Sequence, residues 1–146
     1  MKKLTFLTFS TLFIAVALTA QMKVANYSFG KPWTDKYEHF DFWTKDGKPT
    51  EINYAYGKDK KEVKLQYLGK NSLNGSVCFK VKFTNNFLLY IIPRGQQLQV
   101  TDASGKYNKR FSWEYEGPVN GMGTFCDVCA EDGEDAMNLI QSSYMK

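Results

Sequence analysis

The amino-acid sequence predicts a mainly β fold, a small antiparallel meander of about eight strands with one C-terminal α-helix. Apolar residues alternate with polar ones through most of the chain, which is the pattern of strands with one buried face. Short turn-forming segments separate these stretches, so consecutive strands should pair antiparallel. Such a meander should curl into a barrel or a strongly curved sheet, with a two-sheet β-sandwich as the alternative.

The N-terminal segment is typical of an export signal. Lys2 and Lys3 give it a positive start, a largely apolar run follows over 4–18, and Ala20 precedes the polar Gln21. A short positive region, an apolar region and a small residue at the cleavage point together predict a secretory signal peptide. The apolar run is shorter than the ~20 residues of a membrane span. We therefore expect no membrane insertion of the mature chain.

Cleavage should remove residues 1–20 and leave 21–146 as a single β-rich domain, with a cut after Ala17 as the alternative. The mature chain should then be periplasmic or secreted, in an oxidising compartment. Two of the 19 basic residues lie in the leader, so the mature chain carries 17 basic and 15 acidic residues. This even balance argues against a nucleic-acid partner, which usually requires a concentrated basic face.

The strands are justified by their alternation. The segment 77–83 is the clearest example, because Val77 and Phe79 should face the core while Cys78 and Lys80 face solvent. The segment 87–92 is apolar on both faces, as expected of a central strand. Strands are predicted at 40–43, 52–56, 62–67, 77–83, 87–92, 98–100 and 111–115.

The last segment changes to a helical period. Ala136, Leu139, Ile140 and Tyr144 fall on one face of a helix. Acidic residues crowd its start, where a cap and negative charge are favourable. The sequence therefore predicts one C-terminal helix, with its apolar face against the sheet.

The three cysteines offer several alternatives. Cys126 and Cys129 form a Cys-x-x-Cys motif that suits a thiol-disulfide protein, but the neighbouring carboxylate of Asp127 should raise the thiol pKa. A structural disulfide among Cys78, Cys126 and Cys129 is the preferred interpretation, and each pairing leaves one cysteine over. In an extended strand the motif cysteines would lie about 10 Å apart, so a direct bridge between them requires the chain to turn there.

Metal binding is a weaker hypothesis for the same residues. Cys78, Cys126, Cys129 and His39 would complete a Cys₃His zinc set, but a single Cys-x-x-Cys without a second half-site is a weak pattern. His39 is the only histidine, and we interpret it as a strand residue. No cofactor motif is found, and we expect no cofactor.

Aromatic residues supply the candidate binding site. Most should belong to the core, but inward aromatics of a small barrel can also line a ligand cavity. The candidates are Trp43, Tyr54, Tyr56, Trp113 and Tyr115. Lysines gather in two turns, at Lys58, Lys60 and Lys61 and at Lys106 and Lys109 with Arg110, where they keep hairpin tips soluble.

These patterns predict an exported, non-enzymatic protein that binds a small ligand or a protein partner. The alternative is a thiol-disulfide or metal-binding protein that uses the pair Cys126 and Cys129.

Overall fold

The computed structural model describes residues 20–114 and 126–146, which form a closed antiparallel barrel and a C-terminal helix. Each strand pairs with the next in sequence, and β8 closes the barrel on β1 through Tyr27 opposite Trp113 and Ser28 opposite Ser112. The predicted meander is confirmed as a barrel rather than a sandwich. Its strands are β1 Met22–Phe29, β2 Glu38–Lys45, β3 Lys48–Tyr56, β4 Lys61–Leu73, β5 Ser76–Lys82, β6 Leu88–Arg94, β7 Gln97–Thr101 and β8 Asn108–Trp113.

Strand β1 was not among the segments predicted from the sequence, although it carries the same alternation. Ala25 and Tyr27 are buried in the barrel and Phe29 packs against the core, while Asn26 and Ser28 occupy the alternate positions. This strand closes the barrel, and closure leaves no unpaired sheet edge.

Large side chains fill the barrel interior. Phe42 contacts Phe79 and Phe40 contacts Phe111 in edge-to-face geometry, with ring centroids 5.7 and 5.0 Å apart. An eight-stranded barrel is just wide enough for its side chains to fill it. The following inward side chains are less than 2% exposed: Tyr27, Phe40, Phe42, Ile52, Phe79, Leu89, Ile91, Leu98 and Phe111.

The two ends of the barrel differ. At one, which we call the helix end, the C-terminal helix packs against the strands, and the Tyr144 hydroxyl donates to the carbonyls of Trp43 and Glu51 at 2.5 and 3.3 Å. The Tyr144 ring also contacts Phe42 and Phe79. The other end, which we call the open end, is formed by the connections 30–37, 57–60, 83–87 and 102–107.

The helix follows the prediction. It comprises α1, Gly133–Leu139, and a wider π-helical turn over Ile140–Tyr144. The Asp132 carboxylate caps α1 by accepting a 2.8 Å hydrogen bond from the Asp135 backbone N–H. All four residues of the predicted apolar face are buried. No helix in residues 20–114 or 126–146 is both long and apolar enough to cross a membrane.

Two predictions of side-chain exposure were wrong. Cys78 was expected to face solvent and is fully buried, whereas Val77 was expected in the core and is 52% exposed. Val77 lies near the helix end of β5, where the strand passes beyond the packed interior. Ile92 follows the inward Ile91 on β6 and so lies on the outer face. Like Cys78, it is buried although it does not belong to the core cluster. The outer face of the barrel is therefore not uniformly exposed to solvent.

Candidate functional site

Of the four aromatic candidates that the structure describes, it brings two together. Tyr54 and Tyr56 lie at the open end with their rings stacked, 6.0 Å apart. Trp43 alternates with the inward Phe42 and so lies on the outer face, half-buried. Trp113 packs against the core close to Gly133, at the start of α1. Tyr115 lies outside the described residues.

A buried carboxylate organises the interior of the open end. Glu38, the first residue of β2, is 6% exposed and points into the barrel. It accepts a hydrogen bond from the Tyr54 hydroxyl at 2.8 Å and another from the Tyr107 hydroxyl, and it forms an ion pair with Lys109. Charge pairing and hydrogen bonding together offset the cost of removing this carboxylate from water. We call these four residues the mouth cluster.

The electrostatics of the mouth cluster keep its tyrosines protonated. Burial raises the pKa of Tyr54 and of Tyr107, and the hydrogen bond to Glu38 raises both further. The Lys109 ammonium lies 4.9 and 4.8 Å from the ring centroids of Phe29 and Tyr107, within cation–π distance. Glu38 and Lys109, the two charged groups, therefore both have partners in the cluster, which lies inside the barrel at the open end.

Around this cluster the open end exposes three aromatic side chains. Trp33 is 71% exposed in the connection 30–37, Tyr56 is 44% exposed at the end of β3, and Phe87 is 40% exposed in the connection 83–87. Phe87 had been predicted to lie within a strand, but β6 begins one residue later. We call these three side chains, Trp33, Tyr56 and Phe87, the apolar rim of the open end.

The connection that carries Trp33 is shaped by its backbone. Gly30 has a φ of +83°, and a Cβ there would lie 2.7 Å from the Lys36 carbonyl oxygen. Only glycine allows this close approach of the two ends of the connection. Trp33 itself has a φ of 66°, which is uncommon for a bulky residue. In this connection the Trp33 ring lies beside Lys60, whose Nζ is 5.7 Å from its centroid.

Lysines from distant parts of the sequence share the same end. Lys58, Lys60 and Lys106 lie in the β3–β4 and β7–β8 connections, and both connections lie at the open end. The other members of the two groups were expected in turns but lie on strands, Lys61 at the start of β4 and Lys109 and Arg110 on β8. Exposed lysines there are Lys31, Lys36, Lys58, Lys60, Lys61 and Lys106. The sequence indicated separate soluble turns, because only the closed barrel shows that both turns lie at the same end.

Carboxylates at the open end are fewer. Asp35, Asp59 and Glu62 are exposed. Asp102 is turned into its own connection, where it accepts hydrogen bonds from the Ser104 hydroxyl at 2.8 Å and the Tyr107 backbone N–H at 3.3 Å. These hydrogen bonds, that from Ser104 foremost, lower the pKa of Asp102. Lysines therefore outnumber solvent-facing carboxylates on this surface.

The grooves on the described surface are shallow at the open end. One of about 220 Å³ lies beside Tyr56 and is bordered by Asp35, Lys58 and Lys61. Small-molecule sites usually have volumes of ~300 to 1,000 Å³. A larger groove of about 680 Å³ lies at the helix end and is lined mainly by polar side chains such as Asn138 and Gln141. The aromatic open end is therefore better suited to a flat partner than to an enclosed ligand.

His39 belongs to a polar network on the outer face of β2. Its Nε2 lies 2.5 Å from Asp41 Oδ1, and its Nδ1 lies 3.3 Å from the Tyr37 hydroxyl, which donates to Glu114 at 3.0 Å. The Tyr37 hydroxyl therefore links His39 to Glu114. His39 is 4% exposed, in keeping with a structural role.

The hypothetical Cys₃His metal set is not assembled. His39 lies on β2 and Cys78 on β5, with β3 and β4 between them, and the sulfurs of Cys126 and Cys129 are at bonding distance from each other. Residues 20–114 and 126–146 contain no group of three or more His, Cys, Asp or Glu side chains placed to hold a metal ion.

The disulfide is the direct Cys126–Cys129 bridge. The chain turns at this point, with a Cα–Cα distance of 5.3 Å and a 3.2 Å hydrogen bond from the Cys129 backbone N–H to the Cys126 carbonyl. Cys78 is the free cysteine, and burial raises the pKa of its thiol while nearby Lys80 acts in the opposite direction. Cys78 is therefore poorly suited to act as a nucleophile.

The bridged turn is attached to β1. The Val24 backbone N–H donates to the Val128 carbonyl, and the Ala130 N–H donates to the Val24 carbonyl, both at 2.8 Å. These bonds fix the segment that leads into α1. The pair therefore stabilises the connection between the barrel and its helix, as a structural disulfide does.

Comparisons of this chain with protein-family models, with curated protein sequences and with solved structures found no match.

Proposed function

We propose that this chain is an exported, non-enzymatic interaction module that binds its partner through the open end of the barrel. The observation that carries the proposal is the concentration of Trp33, Tyr56 and Phe87 at that end, among exposed lysines. Exposed aromatic side chains gathered on one surface commonly mark an interaction site.

Packing of the barrel supports recognition at the surface rather than inside. The largest inward side chains are fully buried, and the mouth cluster of Glu38, Tyr54, Tyr107 and Lys109 occupies the open end beneath the rim. A ligand inside the barrel would have to displace these side chains. A partner on the rim would leave them in place.

Export is part of the proposal and rests on the leader. Mass spectrometry of the protein recovered from the cell envelope or the medium should give a mature chain that begins at Gln21. A chain that retains Met1 in those fractions would contradict export with cleavage.

A thiol-disulfide protein is the second candidate function, and the bonded Cys-x-x-Cys pair is the observation that favours it. Cys126 and Cys129 are both half-buried, and α1 begins at Gly133, four residues after the second cysteine. The hydrogen bonds of this segment to β1 favour the structural role instead.

The experiment compares two matched double variants. Trp33→Asn with Phe87→Ser removes two rim side chains, and asparagine tolerates the positive φ at position 33. Leu68→Ser with Val77→Ser removes two exposed apolar side chains away from the rim. Each tagged protein is incubated with soluble and membrane fractions of the source cells, and the fraction that retains the wild type is identified.

That fraction should retain the control variant and lose the rim variant, with circular dichroism showing that both variants are folded. Equal retention of a folded rim variant would overturn the proposed binding face.

A further inference from the structure

We infer that the open end docks on an anionic phospholipid surface, with its aromatic rim among the headgroups. This inference rests on the proposed function, because it takes the open end as the binding face and identifies the partner.

The first argument is the type and placement of the apolar side chains. Trp33, Tyr56 and Phe87 lie at three different connections of one barrel end, so they form a ring of projections rather than a stripe along a groove. Tryptophan and tyrosine favour the boundary between lipid and water, because each has an apolar ring and a polar group. All three side chains therefore belong to the same end of the barrel.

The second argument is the shape of the surface. The groove beside Tyr56 is only about 220 Å³, and the mouth cluster occupies the barrel beneath the rim. This groove is smaller than the ~300 to 1,000 Å³ usual for a small-molecule site. A bilayer does not need an enclosed pocket, since it presents a flat surface to the connections.

The third argument is charge. Six exposed lysines at the open end outnumber the exposed carboxylates Asp35, Asp59 and Glu62. The helix end carries an acidic group that consists of Asp127, Glu131, Asp132, Glu134 and Asp135. Exposed lysines also lie at the helix end, Lys45 and Lys48 beside the β2–β3 turn among them, so the acidic group is offset there. The open end keeps an excess of exposed lysines, which would be drawn to a negative surface. Each lysine near an anionic bilayer strengthens binding about fivefold.

The association is peripheral. Only side chains of the connections reach the headgroups, and the barrel remains in water. Residues 20–114 and 126–146 include no helix able to span the bilayer, so lipid contact is made at the rim.

The test measures sedimentation of the purified mature protein with vesicles of phosphatidylcholine, with and without phosphatidylglycerol. Binding should require the anionic lipid and should weaken with added salt, because salt screens the lysines. Replacement of Lys58, Lys61 and Lys106 by glutamine should weaken it about a hundredfold, at about fivefold for each lysine. The matched control replaces Lys45, Lys48 and Lys70, which are exposed away from the open end, and should bind as the wild type does.

Tryptophan fluorescence reports the apolar contact. Trp33 is the most exposed of the three tryptophans, since Trp43 and Trp113 are half-buried. Anionic vesicles should shift its emission to shorter wavelength, and brominated lipid should quench it. Trp33→Asn should abolish both signals. The rim variant with Phe87→Ser should bind about tenfold more weakly or worse, as expected for the loss of apolar burial, whereas the Leu68→Ser and Val77→Ser control should not.

The outcomes separate the two proposals. If the wild type does not bind anionic vesicles but the rim variant still loses its retention by the cell fraction, the lipid inference fails and the proposed binding face stands. If the wild type binds vesicles and the rim and lysine variants bind equally well, the lipid inference fails. If the cell fraction also retains the folded rim variant as it retains the wild type, the proposed binding face fails with it.

Discussion

Raising the pH above 10 should unfold the barrel cooperatively, because its buried tyrosines cannot ionise in place. Tyr27 and Tyr144 are fully buried, and burial raises the pKa of each far above the ordinary value of 10. A group whose folded-state pKa is raised contributes stability that is complete below its unfolded pKa and is lost as the pH rises toward the folded value. The affected window therefore begins near pH 10.

The magnitude follows from the number of protons released on unfolding. Each buried tyrosine lowers the free energy of unfolding by about 1.4 kcal/mol per pH unit above 10, so Tyr27 and Tyr144 together contribute about 2.7 kcal/mol per unit. Tyr54 and Tyr107 act in the same direction through burial and Glu38, but they are half-buried and their contribution is reduced by solvent. Through Tyr27 and Tyr144 alone, a domain whose free energy of unfolding is ~5 to 10 kcal/mol should then unfold within about two to four pH units.

The assay records phenolate absorbance at 295 nm and near-ultraviolet circular dichroism during the same titration. A late, steep part of the absorbance change should coincide with loss of the dichroism. Tyr144→Phe should reduce the number of protons released on unfolding, as read from the steepness of the transition, by about one. If all nine tyrosines ionised while the near-ultraviolet spectrum stayed unchanged, the assignment of buried tyrosines to the barrel interior would be refuted.

Three further predictions concern stability and the disulfide. Among residues 20–114 and 126–146 the buried Tyr27 hydroxyl has no hydrogen-bond partner. Tyr27→Phe should therefore leave the free energy of unfolding unchanged or raise it by about 1 kcal/mol, whereas Tyr144→Phe should lower it by about 1 to 2 kcal/mol because two carbonyls lose their donor. Urea denaturation measures both, and the opposite order would contradict the packing described. Glu38→Ala should lower the free energy of unfolding by about 2 to 3 kcal/mol in the same assay, because Lys109 and two hydroxyls lose their acceptor. A decrease below about 0.5 kcal/mol would show that the mouth cluster is not formed. Replacing Cys126 and Cys129 by serine should lower the free energy of unfolding by only about 2 kcal/mol, since the closed loop is short. In the native wild-type protein neither cysteine should be alkylated before reduction. Rapid labelling of both in the native protein would instead favour the thiol-disulfide function.

Local periodicity was sufficient to predict most of the fold. The alternation in 77–83 and 111–115 identified strands because one face of each packs in the barrel, and the spacing of Ala136, Ile140 and Tyr144 identified the helix. The burial of Cys78 could not be predicted this way. Alternation assigns a residue to the inner or the outer face of the barrel, but it does not say whether other side chains cover the outer face. Barrel closure likewise depends on pairing between β1 and β8, which are far apart in sequence.

The candidate site was less accessible from sequence. Tyr54 and Tyr56 were identified, but Trp33 and Phe87 were not selected as site residues, because their common location depends on which connections share a barrel end. The lysine groups were found and assigned to separate turns for the same reason. Glu38 gave no sequence signal at all, since a single carboxylate at the start of a strand is ordinarily exposed.

The most direct test of the central claim, that the open end is the binding face, is hydrogen–deuterium exchange of the mature protein with and without phosphatidylglycerol vesicles. Protection should be gained in the connections 30–37, 57–60, 83–87 and 102–107, with α1 unchanged. Protection gained at α1 and the β2–β3 turn instead, or an absence of change at the open end when the protein is vesicle-bound, would contradict the account.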